Sequence, residues 1–174
     1  MREPRAGTRL IYFHKTVDEA KPWNSSPGEL AIEYGPAAWN PKSFARLEKA
    51  TFPRWRMGMN HWTNLDAKFD FRIGGERFAK GYYYVLLERA KSGVWKLCLL
   101  DPGTVAKPEL DAWHANRRGL PAYKSVPVKH EAVAEVAPKL AINFKLTNKA
   151  NHRQAELEIR YGPHRLTVPV EAVF

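Results

Sequence analysis

The chain has 174 residues, of which 44% are apolar and 12% aromatic, and it carries a formal net charge of +10. This length fits a single domain over residues 1–174, and a chain of this size and composition can bury a core of its own, which excludes extensive disorder. No stretch approaches the roughly 20 apolar residues that cross a bilayer as a helix. The single cysteine, Cys98, excludes an intrachain disulfide.

The excess of basic residues does not predict specific nucleic-acid binding. The longest basic run is the pair Arg117-Arg118, and the motifs of the common nucleic-acid-binding modules are missing. Charge spread in this way is typical of a solvated surface with a weak attraction for anions. The start of the chain, MREPRAGTRL, lacks the apolar segment of a signal peptide, so none is predicted within this sequence.

Alternation of apolar and polar residues predicts strands over most of the chain. In chain order they cover residues 8–15, 29–35, 54–65, 67–73, 76–79, 81–89, 94–100, 124–136, 139–148, 154–162 and 164–173. Paired turn residues predict hairpins at Gly74-Gly75, Ser92-Gly93 and Gly162-Pro163.

The remaining segments are predicted to be loops and one helix. Residues 1–28 form an N-terminal strand and loop extension, and the segment from 36 to 53 is loop-like in composition. The helix lies near 108–118, because that segment begins with Pro108 and has acidic residues in its first turn and two arginines in its last.

About ten short strands joined by hairpins, with one short helix, predict an all-β fold. We expect an antiparallel β-sandwich, or a partly closed barrel, of eight to eleven strands. A parallel α/β sheet is excluded because the helices that would connect parallel strands are missing.

Two central strands, 81–89 and 94–100, are apolar on both faces. We expect Tyr83 and Trp95 to lie in the core and Cys98 to be buried and inert. The opposite face of the first strand, formed by Tyr82, Tyr84 and Leu86, is also apolar and should be covered by another part of the protein or by a partner. The alternatives are the predicted helix, the loop at 36–53, and a second subunit that would make a homodimer through residues 82–86.

Several segments occur in an order that resembles the DUF2911 family of bacterial proteins. They are WRMGMNHWT (55–63), AKGYYYVLL (79–87), VWKLCLL (94–100), DAWHANRRG (111–119) and ELEIRYGPHRLTVPV (156–170). The early ELAIEYGPA (29–37) is similar to the first core strand of the family.

The resemblance covers residues 29–172. It implies a β-sandwich, often on exported or periplasmic bacterial proteins, and no established activity. One departure lies in the first segment, where the family has Ala-Asn-Glu-Ala and this chain has Met59-Asn60-His61-Trp62. A role of the family's carboxylate therefore does not carry over to His61.

Signatures of the common catalytic and metal sites are missing. The sequence has no GxSxG motif, no glycine-rich phosphate loop and no HxH or HExxH pair. His130, Glu131 and Glu135 come nearest to a metal set, but on a strand His130 points away from both glutamates. We therefore predict no metal or cofactor, and we interpret the histidines as surface or turn residues.

The stretch WRMGMNHW (55–62) holds the best candidate site. As a strand it directs Trp55, Met57, Met59 and His61 to one face and Arg56, Gly58, Asn60 and Trp62 to the other. The first set is interpreted as core, with Trp55 structural and His61 at its wetter end. The second combines a guanidinium, an amide and a flat ring, which suits a carboxylate, a phosphate or a sugar edge. The alternative is that Gly58 marks a bulge and that Arg56 pairs with a carboxylate of a neighbouring strand.

Three functions follow from these observations. The first is a non-enzymatic module that binds a small anionic or carbohydrate ligand, or a partner protein, through Arg56, Asn60 and Trp62, with His61 beside them. The second is a hydrolase or lyase with His61 or His114 as base. The third is a structural protein that dimerises. The first is favoured, because no nucleophile or metal motif supports the second.

Overall fold

The computed structural model describes residues 5–12, 28–49, 54–106, 124–147 and 153–173, which form eleven strands and two helices. The strands are β1 (Ala6–Tyr12), β2 (Gly28–Tyr34), β3 (Arg54–Trp55), β4 (Thr63–Ala67), β5 (Asp70–Ile73), β6 (Glu76–Phe78), β7 (Gly81–Arg89), β8 (Trp95–Leu100), β9 (Lys124–Pro127), β10 (Lys129–Leu146) and β11 (Gln154–Val173). The helices are α1 (Pro41–Glu48) and α2 (Pro102–Ala106).

Antiparallel pairing joins the strands into two sheets. The larger sheet has the order β1-β2-β4-β7-β8-β9, and the short β3 also pairs with β7. The smaller sheet has the order β10-β11-β5-β6. The two sheets do not close into a barrel, so the predicted antiparallel β-sandwich is confirmed.

The core lies between the sheets and is built from the alternate residues that each strand turns inward. Side chains from both sheets are fully buried there, among them Leu30, Ile32, Leu65, Phe71, Leu87, Leu97, Ile142 and Leu157. Turns at Gly74-Gly75 and at residues 91–93 join neighbouring antiparallel strands, as the sequence predicts.

Helix α1 lies where the sequence analysis predicts a loop. The Asn40 side chain accepts a hydrogen bond from the Ser43 backbone N–H, 3.1 Å away, and Pro41 occupies the first helical position. Both are favourable helix starts. Phe44 and Leu47, three residues apart, are buried on the inner side of the helix. The loop prediction for this segment is therefore wrong, because it overlooked a cap and a short apolar face.

The predicted strand at 54–65 is interrupted. Only its two ends are strands, as β3 and β4, and residues 57–61 form a bend.

The predicted boundary between two strands near 136–139 is also wrong, because β10 runs without a break from Lys129 to Leu146. Its ladder with β11 shifts register between Ala132 and Ala137 and again between Ala137 and Ala141.

The predicted hairpin at Gly162-Pro163 is instead a point inside the long strand β11. Gly162 has a left-handed φ of 59°. Tyr161 before it and His164 after it both pack against the same aromatic rings. The strand therefore changes which alternate residues face inward at Gly162, as a β-bulge does. The hairpin prediction is wrong because a glycine in this conformation serves a bulge as well as a turn.

The outer face of β7 is only partly covered. Leu86 is fully buried, Tyr84 is half-buried under the ring of Trp62, and Tyr82 is 45% exposed. A cover is therefore confirmed for Leu86 but not for Tyr82. The homodimer through residues 82–86 stays a prediction. The helix predicted near 108–118, with His114, lies outside the described residues.

Cys98 should be unreactive in the native protein. It is fully buried on β8, and burial raises the pKa of its thiol to about 12, so the reactive thiolate is scarce near neutral pH. We expect iodoacetamide at about pH 8 to label Cys98 only after unfolding. The control is Ser92→Cys in the exposed turn before β8, which should react at once. Equal native labelling of the two thiols would contradict the prediction.

Candidate functional site

The residues predicted to share one binding face do not share it, because the chain bends between β3 and β4. Three residues in the bend have positive φ: Met57 (51°), Gly58 (153°) and Asn60 (69°). Alternation of side chains between two faces requires an extended backbone. Trp62 is consequently buried, whereas Asn60 and His61 are exposed and Arg56 is half-buried.

The bend is held by contacts within the protein. The Arg56 Nε donates a hydrogen bond to the Gly58 carbonyl oxygen at 3.2 Å. The buried Thr63 hydroxyl donates to the Met57 carbonyl oxygen at 2.5 Å. A Cβ atom on Gly35 would lie 2.3 Å from the Met59 carbonyl oxygen, so two backbones touch here. These contacts give the bend a structural role, and ligand binding through its exposed residues stays a prediction.

The residues predicted to be structural lie in or against the core. Gly58 is buried, and Trp95 is only 4% exposed. Trp55 and Tyr83 are half-buried and pack against the core from its edge. Trp55 also lines a cavity, which the sequence does not reveal.

This cavity has a volume of about 220 Å³ and lies between α1, β3 and β11. Its lining is formed by Ser43, Phe44, Arg46, Leu47, Arg54, Trp55 and Tyr161. Three aromatic rings and a leucine provide an apolar wall, and two guanidinium groups and a hydroxyl provide polar groups. None of these residues was predicted to bind a ligand: Trp55 was interpreted as core, and the others belong to segments far apart in the chain.

Three polar contacts position Arg54 and Tyr161 in the cavity lining. The Arg54 Nε lies 3.0 Å from the Glu88 Oε2 across the β3–β7 pairing, and both side chains are largely shielded from solvent. The Tyr161 hydroxyl donates to the Ala38 carbonyl oxygen at 2.8 Å and accepts from the Asn40 N–H at 3.2 Å. Burial raises the pKa of Tyr161, so the hydroxyl stays protonated and ties β11 to the start of α1.

A pair of histidines lies beside the cavity. The His130 Nε2 and the His164 Nδ1 are 3.0 Å apart, on neighbouring strands β10 and β11. His164 stacks on Phe44, with ring centroids 4.0 Å apart, and His130 lies 5.2 Å from the Trp95 ring. Trp39 also packs against His164 at 5.5 Å. Trp39, Phe44 and Trp95 therefore form an aromatic cage on one side of the two imidazoles, which are half-buried.

This pair was not predicted from the sequence, in which both histidines were interpreted as surface or turn residues. Ala132 pairs with His164, so His130 lies diagonally opposite His164 on the same face of the sheet. Burial lowers the pKa of both histidines. The sequence carries no signal for their contact, because it depends on the register between β10 and β11 and on the bulge at Gly162.

Comparisons with protein-family models, with curated proteins and with solved structures give no match for this chain. The resemblance to the DUF2911 family and the export that it implies stay predictions. Neither helix in the described ranges is long and apolar enough to cross a membrane. Within the same ranges, no three histidine, cysteine or acidic side chains are grouped as they would be around a metal ion.

Proposed function

We propose that this protein is a non-enzymatic binding module whose cavity beside α1 takes a small anionic ligand with an apolar or aromatic body. The observation that carries the proposal is the meeting of three aromatic rings with the guanidinium groups of Arg46 and of Arg54, the latter paired with Glu88, in one cavity. Aromatic walls favour a planar apolar group, and guanidinium groups favour a carboxylate or phosphate. The proposal keeps the ligand class expected from the sequence and moves the site away from Asn60 and His61.

The size of the cavity supports a small ligand. Its volume of about 220 Å³ is below the range of roughly 300–1,000 Å³ that is usual for drug-sized ligands. A single ring that carries one acidic group is the size that we expect. Benzoate and phenyl phosphate are therefore suitable probes, and benzyl alcohol is the uncharged comparison.

Replacement of Arg46 tests the proposal. We expect Arg46→Gln to weaken benzoate binding about tenfold, or about 1.4 kcal/mol, because a charge-assisted contact is lost. Its effect on benzyl alcohol should be small. Binding can be followed by tryptophan fluorescence, since Trp55 lines the cavity.

The matched control is Lys42→Gln, which removes one positive charge from the same helix. Lys42 is exposed and does not line the cavity. It should leave benzoate affinity nearly unchanged. Equal losses in the two variants would mean that only overall charge attracts the anion, and failure of the unmodified protein to bind any of the probes would contradict the proposal.

A further inference from the structure

Phe44 belongs both to the wall of the cavity and to the cage around the histidine pair. Its ring lies 4.0 Å from the His164 ring at an interplanar angle of 27°, and it also borders the cavity. Leu47, one turn further along α1, lines the same cavity. Phe44 therefore joins the histidine pair directly to the cavity. A change in the pair that moves Phe44 also changes the cavity wall.

The geometry of the pair limits the number of protons that it holds. In the neutral pair, one imidazole donates an N–H to the unprotonated nitrogen of the other across 3.0 Å. One added proton keeps this hydrogen bond and makes it charge-assisted. A second added proton removes the acceptor and places two cations in contact, which is unfavourable in a partly buried site.

Some groups around the pair raise the pKa of the histidines and others lower it. Burial has the largest effect and lowers the pKa of both histidines. Glu48 on α1 raises the pKa of both, and Glu131 on β10 raises that of His130. Arg89 on β7 lowers the pKa of His130, and β8 contributes Trp95, which does not titrate.

Helix α1 depends on its packing. It has eight residues, fewer than an isolated helix needs to be stable in water. Its inner side is held by Phe44 and Leu47, and its last carbonyl group, that of Glu48, accepts a hydrogen bond from Arg89. Loss of the packing between Phe44 and His164 therefore removes a main attachment of the helix.

We infer that protonation of the His130–His164 pair releases α1 through Phe44 and so opens the cavity at acidic pH. The inference rests on the proposed function in one respect only, which is that opening of the cavity releases the anion proposed to bind there. In the closed state, burial and contact between two cations oppose the second proton at pH values at which two solvated histidines, each with a pKa near 6.5, would both take one up. Opening thus binds protons and becomes more favourable, about tenfold per pH unit for each proton, as the pH falls below about 6.5.

Hydrogen exchange on the full chain without ligand tests this inference. We expect the protection of α1 amides, corrected for intrinsic exchange rates, to fall about tenfold or more between pH 7.5 and pH 5, while β2 amides keep theirs. His130→Gln and His164→Gln should each reduce this fall, because neither variant can hold two charges. The matched control, His61→Gln at an exposed position in the bend, should behave as the unmodified protein does.

Three outcomes would overturn the inference: unchanged α1 protection at pH 5, equal loss of protection in α1 and β2, or a full pH response in both pair variants. If a pair variant does not fold, ring-proton spectra of the unmodified protein decide. Titration of both rings at the ordinary value of about 6.5, without loss of α1 protection, contradicts the inference. Because no ligand is present, failure of benzoate to bind would count against the proposed function alone.

Discussion

Substitution of Gly162 by alanine should lower the free energy of unfolding by about 3–5 kcal/mol, which is large for one methyl group. Two costs combine. The left-handed φ of 59° is unfavourable for a residue with a Cβ atom, and that atom would lie 2.4 Å from the Trp39 ring. Trp39 cannot move easily, because its ring packs against Tyr161 and His164 and its backbone N–H donates to the Pro138 carbonyl oxygen at 2.8 Å. Urea denaturation followed by circular dichroism measures the change.

Gly75→Ala separates the two costs. Gly75 also has a positive φ, 88°, but a Cβ atom there would have no neighbour within 4 Å. Only the backbone cost applies, so we expect a loss of about 1 kcal/mol. Similar losses in both variants would show that the contact between Gly162 and Trp39 contributes nothing, and that the bulge tolerates a side chain.

Trp95→Ala should cost about 3–5 kcal/mol, because it leaves a cavity in a closely packed region. The ring is 4% exposed, stacks on Phe44 at 5.4 Å and lies under the guanidinium of Arg89, also at 5.4 Å. Its loss also removes one wall of the cage around His130. Chemical denaturation gives the stability change, and hydrogen exchange should show α1 as the first element to lose protection.

Trp55→Ala is the comparison for Trp95. Trp55 is half-buried and contacts Tyr161 at 4.8 Å on the side of the cavity. We expect a smaller loss of stability, about 1–3 kcal/mol, together with loss of benzoate binding. A larger loss of stability for Trp55 than for Trp95, with benzoate affinity retained, would mean that Trp55 belongs to the core and not to a site.

Much of the fold could be predicted because the alternation of apolar and polar residues is local. It predicted the β-sandwich, the turns at Gly74-Gly75 and Ser92-Gly93, and the burial of Cys98. Helix α1 could also have been found, since Asn40 and Pro41 form a recognisable start. It was missed because eight residues contain too few turns for a helical period to stand out.

The candidate site was not predicted from the sequence, which placed Trp55 in the core and the ligand at Arg56, Asn60 and Trp62. The grouping of Arg56 with Asn60 assumed an extended backbone, whereas backbone contact between Gly35 and Met59 produces a bend. Such a contact joins positions more than twenty residues apart, so no local pattern announces it.

The sequence by itself determined that this chain forms an antiparallel sandwich with a mostly apolar interior, because strand formation and burial follow from the spacing of residues along the chain. Only the tertiary structure decided where a site can lie. The cavity needs α1 against β3 and β11, and the His130–His164 contact needs the register of β10 and β11 together with the bulge at Gly162. Register and packing are set by contacts between distant segments, and a one-residue shift in either strand would turn one imidazole to the opposite face of the sheet and separate the pair.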